Sequence, residues 1–213
     1  LRADDAVEGV IEALRPGLAA GAWIIDHSTN LPRRVKERTE RLRDEGIQYI
    51  HAPVFMGPSH SRSGTGQMLI SGSLETVTLL RPALEEMTGT LLHVGNRVED
   101  AAVRKILGNG LIIGLSALAG DLLKAGQAAG FDDQAVLDAL GAFSPMAERM
   151  GNRVSTHGQS QKTFELAMAR KDIGLLLETV APELLSVLPG LAESMDERIQ
   201  QGYGDDNYTA LSH

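Results

Sequence analysis

The sequence predicts an α/β fold in which part of a doubly wound, largely parallel sheet is followed by an all-α domain with a long interdomain helix. Three observations carry this. Up to about Asn96, helical patterns alternate with short apolar runs over short connections, the grammar of a wound sheet. Beyond Asn96 the strand-like runs disappear. From Val98 to Ala129, apolar residues recur at helical spacing over a length that suggests one helix, with glycines where it could kink.

Each element follows in order. "DDAVEGVIEAL" reads as a helix and "AWIID" as a buried strand; "PRRVKERTERLRDEG" reads as a helix from Pro32 to a stop at Gly46. "IQYIHAPV" is the next strand, followed by the Gly- and Ser-rich loop "GPSHSRSGTG". "QMLISG", "LETVTLLRPALEEM" and "TLLHV" give strand, helix and strand. After the long helix come "DQAVLDALGAF", roughly "FELAMARKDIGLLLETVA", and "ELLSVLPGLAESMDERIQQG", all helical. The boundary falls near "GNRVED", dividing the chain into residues 1–96 and 97–213.

Composition excludes several functions. A net charge of −8 over 213 residues argues against a nucleic-acid surface, which needs clustered Lys and Arg. The basic run Arg33 to Arg43 is interleaved with Glu and reads as a solvated amphipathic helix. There is no Cys, so disulfides, thiolate metal sites and thiol catalysis are out. The six His residues show no one-turn pair that would bind a metal from one helix. No uninterrupted apolar run reaches a membrane span and no signal peptide is seen, so a soluble cytoplasmic protein with no membrane or nucleic-acid partner is expected. The chain opens in helical pattern without Met, and residues of the natural protein are expected ahead of Leu1.

Several motifs bear chemistry, each against a plainer alternative. Gly108, Gly110 and Gly114 nearly spell a dinucleotide fingerprint, but a helical segment rather than a strand leads into them, so the fingerprint is rejected. They read instead as small residues that let another helix or a ligand come close. Lys105 and Asn109 stand one turn apart just there: a solvated charge at a helix edge, or an amine and an amide offered to a cleft. "DHSTNLP" leaves a strand's carboxyl end, where wound sheets bind ligands, yet on this motif alone capping of the helix from Pro32 by Ser28, Thr29 or Asn30 is the favoured reading. "HAPVFMGPSHSRSGTG" offers backbone N–H groups for a carboxylate, or is a surface loop. Lys171 and Asp172, taken alone, are a solvated charge pair.

Taken together, "DHSTNLP", "APV" followed by Gly57 and Gly64-Thr65, "MLISG", "HVG", "KILGN" and "KDIGL" resemble the β-hydroxyacid dehydrogenases in order and spacing, over essentially the whole chain. That family includes 3-hydroxyisobutyrate dehydrogenase, tartronate semialdehyde reductase and glyoxylate/succinic semialdehyde reductases. The resemblance implies that residues 1–96 are the C-terminal portion of a Rossmann-type NAD(P)-binding domain and 97–213 a helical substrate and dimerisation domain. It implies NAD or NADP as cofactor, Lys105 as the catalytic lysine and Asn109 as its neighbouring amide. Ser28, Thr29 and Lys171 match cofactor-contacting positions, and Phe55, Met56 and Gly57 match the loop that binds the substrate carboxylate. Family members are homodimers or homotetramers.

Three departures stand out. Phe55-Met56-Gly57 replaces the family's usual Ser-Gly-Gly; His51 stands where Asp is common and His60 where Gly is. The family's glycine-rich turn has no counterpart, its place being before Leu1, so the given chain alone is expected to bind dinucleotide weakly. The expected reaction is hydride transfer between NAD(P) and a small hydroxy acid or semialdehyde, with Lys105 stabilising the oxygen and delivering a proton. The rival readings are a non-catalytic helical dimerisation or binding module, and a reductase of imines or bulkier carbonyl compounds.

Overall fold

A computed structural model describes residues 4–156, 163–180 and 184–212. Two compact units divide the chain, Leu1–Leu107 and Gly108–His213.

In the first unit α1 (Asp4–Leu14) and a 3-10 turn lead into β1 (Trp23–Asp26), then α2 (Pro32–Asp44), β2 (Gln48–His51) and β3 (Val54–Phe55). α3 (Pro58–Ser63), β4 (Gln67–Ile70), α4 (Leu74–Glu85) and β5 (Thr90–His93) follow. β1 and β2 pair in parallel with Asp26 opposite His51, and β4 and β5 pair in parallel with Ile70 opposite His93. β3 pairs antiparallel with β4, Val54 opposite Met68, so the sheet is mixed, which apolar periodicity alone does not reveal. Val54 and Phe55 continue the line of β2, and the run Gln48 to Phe55 joins the two ladders.

Strand side chains alternate, so neighbouring residues serve opposite faces. Tyr49 packs with Val7 and Ile11 of α1 and Leu42 of α2, whereas Ile50 packs with Met68 and Ile70 and with Val77, Leu80 and Leu84 of α4. Two layers of helix therefore cover the sheet, as a doubly wound fold requires. The segment read as the loop "GPSHSRSGTG" contains the short helix α3, with Pro58 at its first position. It closes on Gly64 in the left-handed region, which a side chain rarely adopts. The basic run of α2 is also not wholly solvated, because Arg38 is 1% exposed.

α5 runs unbroken from Asp100 to Ala128. The division into units falls within it, after Leu107, because its first turns belong to the first unit: the Ala101 N–H donates to Ser71 Oγ, and Ser71 Oγ in turn donates to the Val98 carbonyl. By length and mean hydropathy α5 is apolar enough to cross a membrane, although Lys105, Asn109, Asp121 and Lys124 interrupt its apolar run. Its buried residues, among them Ile113, Ala119 and Leu123, are packed as in a core helix.

The second unit continues with α6 (Asp133–Phe143), α7 (Pro145–Ser155), α8 (Leu166–Thr179) and α9 (Leu188–Arg198). Asp132 caps α6 by accepting from the Ala135 N–H, and Ser144 caps α7 by accepting from the Ala147 N–H. Leu137 and Val154 meet Leu123 of α5 in one cluster. A β-carbon on Gly110 would stand 2.5 Å from Leu176 Cδ1, so the glycine lets α8 approach α5 closely. α8 and α9 are shorter than their sequence patterns; Ala181 and Glu183, at the ends of those patterns, lie outside the described residues.

Candidate active site

In the first unit the chemistry gathers at the carboxyl end of β1. Asp26, the last residue of that strand, is a buried carboxylate on which the following turn closes. Oδ1 accepts from the Ser28 hydroxyl and, at 2.9 Å, from the Ser28 N–H. Oδ2 accepts from Asn30 Nδ2 at 2.6 Å and from the Tyr49 hydroxyl at 2.9 Å. Burial alone would push the Asp26 carboxyl up, but charge on the neighbouring His51 ring and the Ser28 and Tyr49 hydrogen bonds outweigh it and hold it below the usual range. Burial and the Asp26 charge push the Tyr49 hydroxyl above its ordinary value, so it stays a donor.

Behind this carboxylate lies Arg38. Its Nη2 meets Asp4 Oδ1 at 2.9 Å, its Nε meets Glu8 Oε1 at 2.8 Å, and its Nη1 lies 3.3 Å from the Tyr49 hydroxyl and 3.8 Å from Asp26 Oδ2. One guanidinium thus ties α1 and α2 to both parallel strands. On the other side His51 Nε2 lies 2.8 Å from the Ser28 carbonyl, which fixes that nitrogen as the protonated one. Ser28 is held at its hydroxyl, amide and carbonyl alike.

Burial pushes the His51 ring's pKa below its ordinary value, despite the nearby Asp26 charge. A base whose folded pKa is lowered takes up its proton more readily when unfolded. Its contribution to stability is full above about pH 6.5 and declines as pH falls below that value. Asp26, also lowered, contributes above about pH 3.9 and loses that contribution as pH falls further. Urea midpoints should therefore fall in two stages on acidification, and a His51→Gln variant should lose the first. A midpoint flat from pH 7 to 5 would contradict this.

Lys105 is 8% exposed, and its Nζ stands 4.0 Å from the centre of the Phe55 ring, well inside cation–π range. The ring belongs to β3, at the edge of the loop that contains Met56 and Gly57. The first unit therefore brings Lys105 and Phe55 together. His60, in α3, is exposed, and its Nδ1 accepts from the Gly57 N–H at 3.3 Å.

In the second unit Asn109, Lys171 and Asp172 form another group. Asn109 Nδ2 donates to Asp172 Oδ2 at 2.6 Å. Lys171 Nζ lies 2.8 Å from Asp172 Oδ1, an ion pair rather than a well-aligned hydrogen bond. Asp172 is 2% exposed, so the pair that reads as solvated in the sequence is a buried carboxylate shared by an amide and an amine. Sequence reasoning missed Asp172, Tyr49 and Arg38 as partners, and took His51 only as a departure.

A wound sheet whose strand ends in a serine turn, followed by an all-helical unit, defines a two-domain architecture of sheet unit and helical unit. Comparison makes this specific. Residues 1–95 match the family model described as the NAD binding domain of 6-phosphogluconate dehydrogenase. NAD or NADP is the cofactor of this class of domain. The 2-(hydroxymethyl)glutarate dehydrogenase of Eubacterium barkeri is 25% identical over 174 residues, 80% of this chain and 56% of that protein. The 2-hydroxy-3-oxopropionate reductase of Escherichia coli K12 is 28% identical over 181 residues, 81% of this chain and 59% of that protein. The chain thus spans a little over half the length of these curated relatives. The crystal structure of a 3-hydroxyisobutyrate dehydrogenase from Salmonella typhimurium superposes with a TM-score of 0.84 at 20% identity, covering all of this chain and 76% of that one.

Proposed function

We propose that this protein is a cytoplasmic oxidoreductase that transfers a hydride between NAD(P) and a small hydroxy acid or semialdehyde, with Lys105 as the acid–base group. The observation that carries this is the Lys105 amine, withdrawn from solvent beside Phe55 and the loop to Gly57. Ser28 and Thr29, half-buried at the carboxyl end of a parallel strand, fit a dinucleotide, and the buried Asn30 Oδ1 beside them has no hydrogen-bond partner among the described residues. Bound there, the nicotinamide would accept or supply the hydride. Lys105 would hold the substrate oxygen and move its proton, and backbone N–H groups from Phe55 to Gly57 would orient the rest of the molecule. Asn109 and Lys171 are fixed against one another through Asp172, which supports their roles in positioning substrate and cofactor.

The test is nicotinamide absorbance with the product of the whole reading frame, screened over hydroxy acids and aldehyde acids. Absence of turnover with every one, together with no measurable dinucleotide binding, would favour the non-catalytic binding module.

Phe55 favours a second reading within the same class. A ring where the family resemblance implies a serine makes the pocket less polar and favours bulkier carbonyl compounds or imines. Phe55→Ser should move kcat/KM toward small polar acids by about tenfold, the worth of one well-made hydrogen bond. An unchanged ratio between small and bulky substrates would remove Phe55 from the pocket.

Self-association through the helical unit belongs to the same proposal. Leu111, Leu118 and Leu122 stand exposed at helical spacing on α5, an apolar stripe of the kind that marks interfaces. Sedimentation at micromolar concentration should show a dimer or tetramer; a monomer would refute it.

A further inference from the structure

The first unit's sheet comes apart on one side of β2. The run from Gln48 to Phe55 pairs with β4 only at Val54 and Phe55, with one further bond from the Leu69 N–H to the Pro53 carbonyl. Over Gln48 to His51 the ladder continues only toward β1. A cavity of about 290 Å³ fills the divergence, near the lower end of the sizes usual for ligand sites. Neither Lys105 nor Phe55 lines it.

Its walls are chemically mixed. Trp23, Ile50 and Val98 supply an apolar side. Arg43 brings an exposed guanidinium, weakly paired with Asp44 at 3.6 Å. Ser73 is the N-cap of the 12-residue helix α4 and Thr76 lies in its first turn, where the leading N–H groups carry partial positive charge, although Ser73 Oγ already accepts from the Thr76 N–H. Glu75 in the same turn offsets part of that charge.

The decisive feature is His51, which lines the cavity and is 1% exposed. Its Nε2 carries the proton and donates to the Ser28 carbonyl, so in the neutral ring Nδ1 is a bare acceptor. Among the described residues nothing donates to it. A buried acceptor left unmatched is costly, and its presence beside a cavity calls for a donor from outside the chain.

We propose that this cavity binds a small hydroxylated aromatic carboxylate, whose hydroxyl donates to His51 Nδ1 while its ring lies along Trp23 and Ile50 and its carboxylate faces Arg43 and the first turn of α4. The site needs no dinucleotide, and His51 joins it to the Ser28 turn through the Ser28 carbonyl.

The experiment uses the chain labelled with 15N-histidine and three probes: 4-hydroxybenzoate, benzoate without the donor, and p-cresol without the charge. 4-Hydroxybenzoate should move the His51 Nδ1 resonance saturably. Benzoate should bind about three- to tenfold more weakly, the range for one hydrogen bond, and leave Nδ1 in place. Arg43→Gln, an exposed change that spares the fold, should weaken 4-hydroxybenzoate by a similar factor and leave p-cresol binding unaltered. Equal binding of benzoate and 4-hydroxybenzoate overturns the proposal, as does an Arg43→Gln chain that binds like the parent. So does an Nδ1 resonance that no probe moves, which would leave the cavity to water alone.

Discussion

Replacing Lys105 with alanine should slow hydride transfer by a factor on the order of 10²–10⁴, the usual range for a positioned acid–base group. A lysine on a helix surface would do nothing of the kind; such substitutions change stability by less than about 0.5 kcal/mol and leave chemistry alone. Lys105 does not belong to that group, since it is almost wholly withdrawn from water and stands over an aromatic ring. Dinucleotide affinity should hold, because the amine is assigned to the substrate oxygen. Asn109→Ala should raise KM and lower kcat more mildly, since its amide positions and is itself anchored on Asp172. Single-turnover measurement with the product of the whole reading frame separates these effects. A Lys105→Ala enzyme working at the parental rate would end the proposed mechanism.

The largest expected loss of stability comes from Arg38→Ala, on the order of 3–5 kcal/mol, the cost of removing one member of a buried ion group. The guanidinium has no exposed surface, whereas Asp4 and Glu8 are partly exposed and can regain water. Asp26 and Tyr49 cannot, and they would keep a buried negative charge with less to balance it. Arg38→Lys should recover only part of the loss, because one ammonium cannot replace a planar fork that serves Asp4, Glu8 and Tyr49 together. Urea unfolding of the chain reads both variants. An Arg38→Ala midpoint equal to the parent's would show that the cluster contributes nothing net.

Where a local signal exists, the sequence was legible. α1 and α6 run over the residues their patterns mark, Asp4–Leu14 and Asp133–Phe143, because apolar period and acidic first turns agree. α7 went unread although Ser144-Pro145 is a cap followed by a proline at the first helical position. The direction of β3 was not legible, since alternation of side chains is the same for parallel and antiparallel pairing. Nor was the burial of Arg38, whose carboxylate partners lie 30 and 34 residues away. Similarly, Asp172 looks solvated beside Lys171 until Asn109, 63 residues earlier, closes on it. The proposed site residues came from motif order; the carboxylates that hold Ser28 and Asn109 in place came only from the three-dimensional arrangement.

The Ser28 turn also has a grammar of its own. A hydroxyl owns one proton and two lone pairs. At Ser28 the proton points to Asp26, and Asn30 Nδ2 reaches one lone pair at 3.1 Å. A single lone pair is left. A group that meets this oxygen must therefore bring a hydrogen, as an amide or a hydroxyl does and a bare phosphate oxygen does not.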